Sequence, residues 1–207
     1  MFLLKQYPEY IFNFEGAVKY AWMKEYYPAQ YEEMKKFIES GRWHISGASW
    51  DATDTLVPSI ESALRNIMLG QDYYRKEFGV ESTDIFLPDC FGFGWTLPAI
   101  ASHCGLIGFS SQKLQWRNKP FYGNDKYPFT VGLWQGIDGS TIMMTHGYDY
   151  NQRFEDGDLS ENKDLLELTG HSPLHMVYRY YGTGDIGGSP TLESVRALSL
   201  IHISEPT

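Results

Sequence analysis

The chain has 207 residues, 43% of them hydrophobic, enough to bury a core but fewer than the roughly 250 residues of a complete eightfold β/α barrel. Its formal net charge of -9, with no basic patch, argues against nucleic acid and anionic membrane surfaces as partners. It holds no apolar run of roughly 18 residues that would mark a membrane span, its first residues lack a signal-peptide stretch, and Cys90 and Cys104 have the spacing of neither a metal pair nor a disulfide framework.

Taken in chain order, residues 10–14 read as a strand. Residues 28–40 read as an amphipathic helix with Tyr31, Met34, Phe37 and Ile38 on one face and Gly41 beyond its end. A strand is expected over 43–46. A long helix opens at Ser59 and stops at Gly79, which has the residue type favoured just past a helix C-terminus. A buried strand follows over 84–87, a short helix over 97–104 closed by Gly105, and strands over 106–110, 141–145 and 175–181. The polar stretch 151–162 reads as a loop. This alternation predicts an α/β fold of right-handed βαβ units around parallel strands, without internal repeats.

In such folds the working residues follow the C-terminal ends of the strands. Trp50, Asp51 and Asp54 follow the second strand, Asp89 the third, Gln112 and Lys113 the fourth, His146 the fifth and Asp185 the last. An Asp after a strand is more often a helix cap or turn residue than a catalytic one. Two carboxylates on one rim are nonetheless what glycoside hydrolysis needs: one to attack or stabilise the anomeric centre, the other to protonate the leaving oxygen. The 16% aromatic content, with 15 Tyr and 6 Trp, suits sugar stacking but also suits a core.

Several words occur in one order: Gly70-Gln71-Asp72-Tyr73-Tyr74-Arg75-Lys76-Glu77-Phe78-Gly79, then Leu87-Pro88-Asp89-Cys90-Phe91-Gly92, Leu97-Pro98-Ala99-Ile100, Ser111-Gln112-Lys113-Leu114-Gln115-Trp116 and Trp134-Gln135-Gly136-Ile137-Asp138-Gly139-Ser140. Together they resemble the catalytic domain of glycoside hydrolase family 38, the α-mannosidases, over about residues 7–197. The resemblance implies an incomplete, irregular (β/α)7-type barrel with parallel strands. It also implies zinc-dependent hydrolysis of terminal α-linked mannose from an oligosaccharide or glycan, with retention through a covalent glycosyl-enzyme.

By that resemblance Asp89 is the nucleophile and a zinc ligand, Phe91 packs on the sugar, and Lys113 is a basic residue near the nucleophile, where a cation favours the ionised carboxylate. Trp50 and Asp54 match residues that shape the sugar pocket, with Ala52 where relatives often carry Glu. His146 is a candidate to line the pocket. The Gly-rich turn Gly182-Thr183-Gly184-Asp185-Ile186-Gly187 also satisfies a dinucleotide fingerprint, but it arrives after several βα units rather than opening the domain. The resemblance places the acid/base carboxylate on such a turn, making Asp185 the candidate. If position 186 is the acid site, Ile186 leaves it without a proton donor.

Of the family's zinc ligands, a His-x-Asp pair, the nucleophile and a distant His, the chain holds Asp89 alone. The expected protein is therefore residues 1–197 of a partial mannosidase catalytic domain, inactive by itself. Residues 198–207 read as the translation of a sequencing adapter and are set aside as a non-native tail. Two alternatives stand beside it: a non-catalytic glycan-binding pseudoenzyme, and a metal-dependent carbohydrate deacetylase, whose pairing of Asp with two nearby histidines is not seen. Oligomeric state and compartment are not legible.

Overall fold

The computed structural model describes residues 1–115, 130–147, 154, 159–185 and 188–204. They form two compact units, one of Ile11–Ser111 with Leu133–Met144, the other of Met1–Tyr10, Gln112–Gly132 and Thr145–Thr207.

In the first unit, strand β1 (Phe12–Phe14) pairs in parallel with β2 (Trp43–Ile45), Asn13 opposite His44. Between them run helices α2 (Ala17–Tyr26) and α3 (Pro28–Glu39). Helix α3 starts on Pro28, whose missing N–H is harmless in a first turn, and buries Tyr31, Met34 and Ile38. Helix α4 (Ile60–Phe78) has both signals its sequence carries: the Ser59 hydroxyl accepts from the Ser62 amide, and Gly79, at φ 69°, ends it. Strand β3 (Asp84–Phe86) then pairs in parallel with β4 (Gly108–Ser111), across the short helix α5 (Leu97–His103). The core is an aromatic cluster. Trp43 and Tyr20 pack against Phe14, and Tyr20 also meets Tyr74 and Phe78, all with centroids 5.5 to 6.4 Å apart. The polar tips are satisfied in series: Trp43 Nε1 donates to Tyr20 Oη at 3.0 Å, and Tyr20 Oη to the Phe14 carbonyl at 3.0 Å.

Strands β5 (Val131–Gln135) and β6 (Thr141–His146) complete a four-stranded sheet in the order β3-β4-β6-β5. They form a hairpin, closed at the turn by the Gly136 amide on the Ser140 carbonyl and at the open end by the His146 amide on the Thr130 carbonyl. This antiparallel pair departs from the expected all-parallel arrangement, and no closed barrel is present among the described residues.

In the second unit α1 spans Phe2–Gln6, α6 Lys163–His171 and α7 Leu192–Ser204. Asn162 caps α6 by accepting from the Leu165 amide. Thr191 accepts from the Ser194 amide at the start of α7, which runs across position 198. The strand expected over 175–181 does not form. His175 turns back on Ser172 with φ 50°, and the Tyr178 amide donates to the Thr130 hydroxyl at 2.7 Å instead of joining a ladder. Most of the expected loop 151–162 lies outside the described residues.

Candidate active site

The chain just past the C-terminal end of β2 is tied to Asp84, the first residue of β3, by main-chain and carboxylate contacts. Past β2 the chain turns at Gly47, whose amide donates to Asp84 Oδ1 at 3.0 Å, while the Ala48 amide donates to the Asp84 carbonyl at 2.9 Å. Residues 48–49 then press on α4 at Gly70, where a Cβ would meet the Ala48 carbonyl oxygen at 2.2 Å. Asn66 holds the next residues on both sides, its side chain accepting from the Asp51 amide and donating to the Asp51 carbonyl. Trp50 is half-buried, its ring edge-on to Tyr73 of α4 at 5.8 Å. Asp54 is exposed and folds its own turn by accepting from the Leu56 and Val57 amides at 2.7 and 3.2 Å.

Asp89 stands three residues past β3 and is exposed. Its turn is fixed at both ends. Before it, the Leu87 amide extends the pairing to the Ser110 carbonyl at 2.9 Å. After it, Phe93 packs edge-on to buried Phe109 of β4 at 4.9 Å, and Phe109 in turn meets Trp134 at 5.1 Å. Phe91, on the same turn, is 47% exposed. The Asp89 and Asp54 turns meet: Cys90 Sγ donates to the Thr53 carbonyl at 3.3 Å, and Thr55 Oγ1 to the Gly92 carbonyl at 2.9 Å. The Cys90 thiol is pushed up to about 11, first by burial and then by the negative charges of Asp54, Asp89 and Glu15. Glu15, just past β1 and ion-paired with Lys19, is a rim carboxylate that the sequence reading did not single out. Its position after a short aromatic strand was the available signal. A cavity of about 30 Å³ is lined by Ser49, Thr53, Thr55, Leu87, Thr96 and Leu97.

The remaining candidates belong to the second unit. Lys113 is buried at the start of a single 3-10 turn, Lys113–Gln115. His146, at the end of β6, is fully buried. Asp185 is exposed on its Gly-rich turn with φ 62°, a left-handed conformation that a non-glycine residue adopts at a cost. Ile186 lies outside the described residues, as does Trp116. Among the described residues no three of His, Cys, Asp and Glu come together as a metal-binding group, so these residues by themselves do not fit a zinc site. No helix among them is long and apolar enough to cross a membrane.

Residues 1–202 match the family model described as "Glycosyl hydrolases family 38 N-terminal domain". Alpha-mannosidase G of Dictyostelium discoideum is 36% identical over 202 residues, covering 94% of this chain and 18% of that protein. Alpha-mannosidase of Saccharomyces cerevisiae is 30% identical over 203 residues, covering 97% of this chain and 18% of the relative. The chain thus spans about a fifth of the length of these relatives. Among solved structures, a protein in the glycosyl hydrolase family 38 from Enterococcus faecalis superposes with a TM-score of 0.66 at 17% identity, covering 96% of this chain and 21% of that one. The 4-alpha-glucanotransferase from Thermococcus litoralis gives a TM-score of 0.66 at 15% identity, over 90% of this chain and 29% of that one, a likeness of fold alone.

Proposed function

The chain belongs to family 38 of the glycosyl hydrolases, through its N-terminal domain, and from that premise we propose that it is a partial catalytic domain, residues 1–197, of a retaining α-mannosidase with an incomplete (β/α)7-type barrel. The substrate of the whole protein is a glycan ending in α-linked mannose. Residues 198–207 are in this reading a non-native tail. The observation that supports it best is the placement of Asp89: exposed, just beyond a parallel strand, on a turn held by Leu87, Phe93 and the neighbouring Asp54 turn.

In the proposed chemistry an Asp89 carboxylate oxygen forms a bond to the anomeric carbon as the bond to the glycosidic oxygen breaks, and the Asp185 carboxyl gives its proton to the departing oxygen. Water then adds to the anomeric carbon, releasing Asp89, while Asp185 takes the proton back. Phe91 packs on the sugar ring. Trp50, Asp54 and His146 shape the pocket, and Lys113 favours the ionised form of the nucleophile. Zinc, when bound to the whole protein, would polarise the substrate as a Lewis acid. Asp89 would be one of its ligands in this reading.

The test is hydrolysis of 4-nitrophenyl α-mannoside by the whole protein. Turnover with retention of configuration, reduced about a thousandfold or more by Asp89→Asn, is the expected result. A metal-loaded protein that binds mannosides without turnover would replace this reading with a pseudoenzyme. Release of acetate from acetylated sugars would replace it with a deacetylase.

A further inference from the structure

We propose that residues 53–56 act as a clasp that positions the Asp89 turn, with Thr55 and Cys90 as positioning residues and Leu56 as its wedge. The inference rests on the reading of Asp89 as nucleophile, and every contact in it lies within one unit of the fold.

Three observations carry it. The two side-chain hydrogen bonds between the turns run in opposite directions, Thr55 Oγ1 to the Gly92 carbonyl at 2.9 Å and Cys90 Sγ to the Thr53 carbonyl at 3.3 Å, so neither turn can slide without breaking one. Leu56, 59% exposed, lies against two glycines. A Cβ on Gly92 would lie 2.7 Å from Leu56 Cδ1, and one on Gly94 3.6 Å from Leu56 Cδ2. Thr53 and Thr55 line a cavity of about 30 Å³ together with Leu87, Thr96 and Leu97, so packing between the two segments is incomplete there and the polar contacts add to what holds them. Asp54 sets the shape of the clasp, because its carboxylate accepts the Leu56 and Val57 amides and closes the turn that presents Thr55. Thr55 and Cys90 have their polar atoms committed to main-chain carbonyls, so they act through Asp89 rather than on the sugar. A nucleophile displaced by a fraction of an ångström loses rate while ground-state binding persists.

The experiment compares Thr55→Val with Thr55→Ser in the whole enzyme, the first removing the hydroxyl at nearly constant shape and the second keeping it. Thr55→Val should lower kcat on 4-nitrophenyl α-mannoside about fivefold or more, the equivalent of one net hydrogen bond, with KM within about twofold. Thr55→Ser should stay within about twofold of wild type. Amide hydrogen exchange at 89–94 should quicken in the Val variant and not in the Ser variant. Equal kcat in Thr55→Val and wild type, no recovery in Thr55→Ser, or unchanged exchange at 89–94 would overturn the clasp. Should Thr55→Val not fold, Cys90→Ala against Cys90→Ser decides on the same readouts. Absence of turnover in the wild type would remove the mannosidase reading, and the exchange comparison would still decide the clasp.

Discussion

Gly41, Gly70 and Gly92 show how differently one residue type can be required. Gly70 sits inside α4, where glycine costs about 1 kcal/mol against alanine, and persists because a Cβ would strike the Ala48 carbonyl oxygen at 2.2 Å. Gly92 has φ +92° and also meets Leu56 at 2.7 Å, whereas Gly41 has φ +73° with open space around it. Alanine at 41 therefore tests backbone strain alone and should cost about 1 kcal/mol. Alanine at 70, blocked by main chain that cannot move aside, should cost about 3 kcal/mol or prevent folding. Alanine at 92 should fall between them, and Leu56→Ala should recover the steric part of its cost in a double-mutant cycle read by urea denaturation. If Gly92→Ala costs the same with or without Leu56, the wedge is not where the structure puts it.

Among the elements, the helices of the first unit are joined by one carboxylate. Glu77 of α4 accepts from Lys24 of α2 at 2.7 Å on both oxygens and from Tyr31 of α3 at 2.8 Å. The Lys24 ammonium holds its carboxyl below the usual value, with the Tyr31 hydroxyl adding to the effect against desolvation. A depressed native pKa means stability that is present above the ordinary glutamate range and is lost as the pH falls through the native value. Glu77→Gln should cost at most about 1 kcal/mol at pH 7, because Lys24 is solvent-screened, and flatten that part of the acid limb in denaturation curves taken from about pH 7 to about pH 3. Much of this unit was legible: α3 from its apolar spacing, α4 from Ser59 and Gly79, β3 from a short run before Pro88, and Asp89 from its place after that strand. Helix α2 was not, because it buries only Ala17 and Tyr20 and so shows little periodicity. Strand β5 escaped for a similar reason, its side chains alternating only between half-buried and exposed. The strand expected over 175–181 had the right residue types but finds a Thr130 hydroxyl in place of a neighbouring strand. The clasp was illegible in principle, since its hydrogen bonds join residues 37 apart and no local pattern encodes them.

For the molecule as a whole, the decisive feature is how much apolar surface is left uncovered. Strand β5 is an outer strand of its sheet and presents Leu133 at 75% exposure, with Ile137 on the adjoining turn at 67%. Ile107, entering β4, is 68% exposed, and Trp95 and Val57 beside the candidate site reach 78% and 83%. An outer strand that carries an exposed leucine is a template for association with another copy. A net charge of -9 opposes this only at long range and is screened beyond about 8 Å at physiological salt. The 207-residue chain made alone should therefore associate in a concentration-dependent way, show no turnover of 4-nitrophenyl α-mannoside and retain no stoichiometric zinc after gel filtration. Leu133→Lys should shift it toward monomer in light scattering, because a charge on an outer strand disfavours a second strand alongside. Unaltered association of the lysine variant would move the sticky surface to the exposed Trp95 and Val57. A monomer that binds zinc and turns over would show instead that the chain needs none of the further length its relatives have.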